Sequence, residues 1–159
     1  MMDGFNISIE LLEWMKDNLD GNLLELGSGE GTKELVKCFD NVYSVEDQEA
    51  YQNLHHANYL NVPIKKYVGY HWYDRDILKE KLKGIEYNAI LVDGPTGSVQ
   101  RQGFIKNIDL FNIKHTIPII IDDMHRVHEQ KMFNALCEMF PYRRVEHIKC
   151  KDKQASILL

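Results

Sequence analysis

The chain has 159 residues, enough for one domain (1–159) whose core needs no disulfide staples, and its 44% hydrophobic and 27% charged residues exclude a disordered or collagen-like polymer. A formal net charge of −5 repels phosphate backbones and disfavours a nucleic-acid partner. The three widely spaced cysteines, Cys38, Cys137 and Cys150, form no CxxC pair and read as buried, reduced thiols of a cytoplasmic protein. The opening residues MMDGFNISIE lack the apolar core of a signal peptide, and no window is apolar for long enough to span a membrane.

In chain order, Ile7–Leu19 has helical spacing, with Leu11, Leu12, Met15 and Leu19 on one face. Asn22–Leu26 is a short apolar run of strand type, Gly27–Gly31 a glycine loop, and Thr32–Phe39 a second helix. Val42–Val45 predicts a strand, about Gln48–Ala57 a helix, and Ile64–Val68 a third strand. Asp74–Lys83 is an amphipathic helix with Ile77, Leu78 and Leu82 inward, and Tyr87–Val92 is a nearly continuous apolar strand. Phe104–Phe111 is helical, Ile117–Ile121 is the most apolar run, and His125–Phe140 is a helix burying Phe133, Leu136, Cys137 and Phe140. Tyr142–Ile148 and Ala155–Leu159 close the chain as two strands with no helix between them.

Strands without polar alternation, separated by helices, predict a parallel sheet covered on both faces; the last two strands suit an antiparallel hairpin at one edge. The fold class is therefore α/β, a doubly wound, seven-stranded, mostly parallel sheet with an antiparallel edge hairpin. Ligands of such sheets sit beyond the carboxyl ends of the strands. That directs attention to Glu25–Gly31, Glu46–Asp47, Gly69–Tyr73, Asp93–Gly97 and Asp122–Arg126.

The first of these, Glu25-Leu26-Gly27-Ser28-Gly29-Glu30-Gly31, ends a strand and opens a helix. Glycines at alternate positions admit positive φ and let a ligand approach the backbone. A dinucleotide loop needs G-x-G-x-x-G, whereas here the third glycine comes one residue early, and Glu25 suits a cationic ligand better than a diphosphate. The segment resembles motif I of the class I S-adenosylmethionine-dependent methyltransferases, which have a Rossmann-like fold. The resemblance implies S-adenosylmethionine as cofactor, with Glu25 near its ammonium group and Gly27, Ser28, Gly29 and Gly31 passing beneath it. Glu46, 19 residues after Gly27, stands where the family takes the ribose hydroxyls, with Asp47 as a weaker candidate that also suits a helix cap. Trp72 or Tyr73 falls where the family often contacts adenine, although core packing explains either ring equally well.

Asp93 follows the fourth strand of this scheme and Asp122-Asp123 the fifth. Three acids gathered at one rim repel unless a cation lies among them. The arrangement resembles the metal site of catechol-type O-methyltransferases and of metal-dependent sugar O-methyltransferases, which implies Mg2+ held by Asp93, Asp122 and Asp123 and a hydroxyl acceptor. The same acids also suit an Asx turn at Asp93 and N-caps at Asp122 and Asp123, and both readings stand. Catechol-type enzymes place a lysine three residues after the first acid, where this chain has Thr96. The base then falls to His125, with Asp93 at its side and His71 as the next choice. Arg101 or Arg126 is available for an anionic acceptor.

The Asn/Asp-Pro-Pro-Tyr signature, the Pro-Cys nucleophile, the Gly-x-Ser-x-Gly elbow and the P-loop lysine are all missing. The resulting expectation is methyl transfer to a small-molecule, sugar or carrier-bound hydroxyl. The alternatives are a metal-independent N-methyltransferase and a non-catalytic nucleoside-binding module. A chain spent almost wholly on its core leaves little for a lid, which predicts an open site for a glycan or carrier-bound acceptor, or a homo-oligomer in which a second subunit completes the pocket.

Overall fold

The computed structural model describes residues 7–96, 101–113 and 116–159. Helix α1 (Ile9–Asn18) starts at Ser8, whose hydroxyl accepts from the Leu11 amide, and it buries Leu11 and Met15. Strand β1 (Asn22–Leu26) leads through the glycine loop into the short α2 (Thr32–Leu35) and then β2 (Asn41–Glu46). After β3 (Asn58–Asn61) come β4 (Ile64–Tyr67) and β5 (Tyr70–Tyr73), a separate two-stranded hairpin turned by Gly69 at φ +83°. Helix α3 (Arg75–Leu82) is capped by the Asp74 carboxylate, which accepts from the Asp76 and Ile77 amides. Strand β6 (Ala89–Val92), helix α4 (Gly103–Lys106), β7 (Ile119–Ile121), α5 (Val127–Met139), β8 (Val145–Lys149) and β9 (Gln154–Leu158) complete the chain.

The large sheet has seven strands in the order β3-β2-β1-β6-β7-β9-β8. Its first five strands are parallel, and β9 enters antiparallel between β7 and β8. Alternate strand residues feed two cores. Leu24, Leu26, Val45, Ile90, Val92, Ile119 and Ile121 meet Leu78 of α3, Phe104 of α4 and Phe133 and Leu136 of α5. Leu23, Val42, Leu91, Ile120 and Ile157 meet Leu11 and Met15 of α1 and Leu35 of α2 on the other face. Each fully buried aliphatic side chain of these layers contributes about 1.5–3 kcal/mol.

Several expectations change. Ile77 of α3, expected inward, is exposed, and Phe104–Phe111 divides into α4 and a 3-10 turn at Ile108–Leu110. No regular helix covers Gln48–Ala57; there is a single 3-10 turn at Glu49–Tyr51, and Leu54, the one large aliphatic side chain of the segment, is exposed. The third parallel strand is β3 rather than Ile64–Val68, because Lys65 and Lys66 cannot enter a buried sheet and instead line the exposed hairpin. The cysteines are free, as expected, but only Cys150 is buried; Cys38 and Cys137 are partly exposed. Gly97 lies outside the described residues.

Candidate functional site

Register brings the strand ends to one level. Leu26 pairs with Val45 and Val92, and Val92 with Ile121. The ladder continues one step further: the Gly27 amide donates to the Val45 carbonyl (2.8 Å), Asp93 to Leu26 (2.9 Å) and Asp122 to Val92 (3.4 Å). Gly27, Glu46, Asp93 and Asp122 therefore share a single rim.

Gly27 has φ +93°, and a Cβ there would lie 2.7 Å from the Gly94 Cα. The absence of side chains lets the loops after β1 and β6 touch, as well as opening the backbone to a ligand. The Glu46 carboxylate spans the gap to the glycine loop, accepting from the Ser28 amide (2.8 Å) and from the amides of Asp47 (2.9 Å) and Gln48 (2.8 Å). Burial raises its pKa, partly offset by the Gln48 and Ser28 amides.

Glu25 turns the other way, into the face covered by α2. Thr32 Oγ1 donates to both its oxygens (3.0 and 2.9 Å), and Ser44 Oγ contacts Oε2. Thr32 Oγ1 in turn accepts from the Gly29 amide (3.1 Å). Burial at 3% exposure pushes the Glu25 pKa up to about 8, against the lowering effect of the two hydroxyls. In this structure Glu25 braces the glycine loop from behind and is absent from the described cavity walls.

Two cavities meet at the rim. The smaller, about 70 Å3, is walled by Gly27, Ser28, Glu46, Asp47, Asp93 and Arg101, among others. The larger, an open groove of about 870 Å3 by the same measure, runs between the start of α1, the glycine loop and the β8–β9 turn. Asp123, Arg126 and Lys153 line both.

The rim acids are held by the chain's own cations. Lys153 Nζ donates to Asp122 Oδ2 at 2.6 Å and lies 3.5 Å from Asp123 Oδ1. Arg101 is 5% exposed; it donates to the Pro95 carbonyl (3.1 Å) and to Asp123 Oδ2 (3.0 Å), and lies 3.5 Å from Asp93 Oδ1 and 3.8 Å from Glu129 Oε1. Arg126 Nη1 stands 3.5 Å from Asp123 Oδ2. Asp123 sits at φ +58°, a left-handed conformation open to Asp. It turns two consecutive carboxylates toward one ammonium, where extended backbone would point them to opposite sides. Burial pushes the Asp93 carboxyl up to about 7, aided by the charge of Asp122 and opposed by Arg101. Asp123 moves down, because Lys153, Arg101 and Arg126 outweigh its burial.

No family model and no curated protein sequence matches the chain. Solved structures do match in fold. A Staphylococcus aureus protein provisionally assigned as a caffeoyl-CoA O-methyltransferase has a TM-score of 0.64 at 15% identity, with 97% of this chain and 85% of that one covered. SMU.1697c of Streptococcus mutans, provisionally assigned as a methyltransferase and solved with S-adenosylhomocysteine (SAH), has a TM-score of 0.56 at 12% identity, covering 96% and 97%. The N-methyltransferase NodS of Bradyrhizobium japonicum has a TM-score of 0.57 at 11% identity, covering 93% and 90%. The chain has the class I methyltransferase fold.

Within that methyltransferase fold, the expected site residues separate into groups. Gly27, Ser28, Glu46, Asp47 and Asp93 face the smaller cavity together, and Gly31 faces the larger. Asp47 caps no helix: the 3-10 turn Glu49–Tyr51 has Gln48 before it and no side-chain cap. Trp72 is fully buried and packs edge-on against Tyr73 and Phe111, with Gly103 laid against its indole, so it has no open face for an adenine ring. The residues Gly69–Tyr73 follow β4, a hairpin strand, and not a strand of the large sheet. His125 is exposed on the larger groove and is not on the wall of the smaller cavity. His71 is exposed on β5.

The metal expectation meets a different arrangement. Among the described residues no group of three His, Cys, Asp or Glu side chains is placed to hold a metal ion. Asp93, Asp122 and Asp123 do not fit Mg2+ as they stand, because Arg101 and Lys153 already occupy the directions a hard cation would take. Asp122 and Asp123 do not cap α5 with their side chains either; the residue before that helix is Arg126, and it makes no side-chain cap.

Lys153 is the residue that reading the chain for motifs missed. The signal was topological: β8 runs in the same direction as β7, so the β8–β9 turn emerges at the ligand end of the sheet.

Proposed function

We propose that this chain is an S-adenosylmethionine-dependent methyltransferase acting on a hydroxyl of a small-molecule, sugar or carrier-bound acceptor. The observation that carries the reading is the convergence of Gly27, Ser28, Glu46 and Asp93, from three adjacent strand ends, on one cavity.

In the reaction the acceptor oxygen attacks the sulfonium methyl in line. The carbon–sulfur bond breaks, its electron pair stays on the neutral thioether of SAH, and the new bond is oxygen–carbon. The acceptor proton goes to Asp93, whose pKa of about 7 lets it be ionised before the step and protonated after it. Orientation by the glycine loop and Glu46 supplies most of the rate. The larger groove meets the cofactor cavity at Asp123, Arg126 and Lys153, and its openness suits a bulky acceptor. No step passes through a metal ion.

Calorimetric titration with SAH tests the reading. Micromolar binding is expected, weakened about tenfold or more by Glu46→Ala, which removes the acceptor of three loop amides. Absence of binding to the wild-type chain would overturn it. Labelled methyl transfer that survives Asp93→Asn unchanged would redirect the proposal to an amine acceptor, which needs no base to attack.

A further inference from the structure

The rim presents a disagreement: a carboxylate cluster of the kind that attracts divalent ions, in a geometry that does not fit one. We infer that Lys153 is a built-in substitute for a divalent cation, and that the turn between β8 and β9 makes this rim indifferent to metal. The inference rests on the charge geometry alone and not on the methyl-transfer reading.

Three observations carry it. Lys153 Nζ bridges the two consecutive acids, at 2.6 Å from an oxygen of Asp122 and 3.5 Å from one of Asp123. Both acids are buried, Asp122 to 1% and Asp123 to 7% exposure, so their charge needs a fixed partner rather than solvent. The ammonium is also anchored at its root: the Met124 amide donates to the Gln154 carbonyl (2.8 Å), tying the residue after Lys153 to the residue after Asp123. A lysine so held presents one positive charge where a hard ion would present two, and its donors point at the carboxylate oxygens such an ion would need. Arg101 does the same between Asp123 and Asp93, so each of the three acids faces a cation already in place.

The inference makes Lys153 the residue that keeps metal out. Removing the ammonium leaves two neighbouring buried carboxylates with one cation fewer, and a divalent ion can hold such a pair through one or two carboxylates and several waters. The test uses Mn2+ as the probe, with the free ion followed by electron paramagnetic resonance, on the chain as wild type, Asp122→Asn, Lys153→Met, Lys153→Arg and the double variant Lys153→Met/Asp122→Asn. The wild type and Lys153→Arg are expected to leave the Mn2+ signal free. Lys153→Met is expected to take up one equivalent, about tenfold or more tightly than the wild type, because a competing charge has gone. The double variant is expected to lose that binding. Uptake of one equivalent by the wild type, abolished by Asp122→Asn, would overturn the inference. So would a folded Lys153→Met that binds no more Mn2+ than the wild type. If Lys153→Met does not fold alone, recovery of its circular dichroism spectrum with Mn2+ supports the inference, and failure to recover refutes it. SAH titration of the same samples reads the cofactor site separately, so failure of the cofactor reading is distinguishable from failure of this one.

Discussion

Glu25 offers the sharpest quantitative test, because its environment sets a sign as well as a size. Its carboxyl is 3% exposed, bonded to Thr32 and Ser44, and its pKa is raised from 4.5 to about 8. Between those values the folded protein keeps the proton and the unfolded chain has released it, so stability falls as pH rises through that window. At about 1.4 kcal/mol per pH unit, ionisation of the unfolded chain costs the fold about 3 kcal/mol between pH 5 and pH 7.5. Glu25→Gln removes this dependence. The amide oxygen keeps the Thr32 bond, and the amide N–H donates to Ser44 Oγ as the neutral acid's O–H can. Urea melts of both proteins across that range should show curves that diverge toward high pH, with the variant about 3 kcal/mol ahead at the upper end. Asp93, raised in the same direction, titrates in both proteins, so most of its effect cancels in the difference. Parallel curves would refute the argument and place an ionised Glu25 behind the loop. SAH affinity should be retained in Glu25→Gln, since this side chain acts through Thr32 and the Gly29 amide.

Two further outcomes are expected. Asp93 is ionised as pH rises through about 7, so calorimetry should show S-adenosylmethionine, with its sulfonium charge, binding more tightly from pH 6 to pH 8 while SAH changes less; Asp93→Asn should flatten the difference. Gly27→Ala should destabilise the chain by about 2 kcal/mol or more in urea melts, because φ +93° disfavours any Cβ and the added carbon meets Gly94 backbone at 2.7 Å.

Much of this site was legible in the chain. Asn22–Leu26 is read as a strand from five residues and is one, and Leu26 pairing with Val45 and Val92 carries Gly27, Glu46 and Asp93 to a common rim. Parallel pairing makes strand ends coincide, so a reader who finds the strands finds the rim. What stayed hidden depended on partners distant in sequence. Strand β3 has a single buried side chain, Leu60, and lies at the sheet edge, so neither alternation nor an apolar run announces it. Trp72 stayed open to a ring ligand in the sequence because its burial comes from Phe111 and Gly103, which lie some thirty residues or more away. The acids Asp93, Asp122 and Asp123 looked short of a cation because their partners, Arg101 and Lys153, come from a loop and a turn that carry no motif.

Strand β9 follows all the other strands in chain order, yet it lies inside the sheet, with β7 on one side and β8 on the other. The Lys153 charge comes with it. While the chain is incomplete, the most apolar strand lacks a neighbour, and Asp122 and Asp123 lack the ammonium that lets them be buried. Insertion of the hairpin satisfies both at once, so the ligand rim reaches its final charge in the same event that closes the sheet. The charge balance of this rim thus depends on the β8–β9 hairpin taking its place in the sheet.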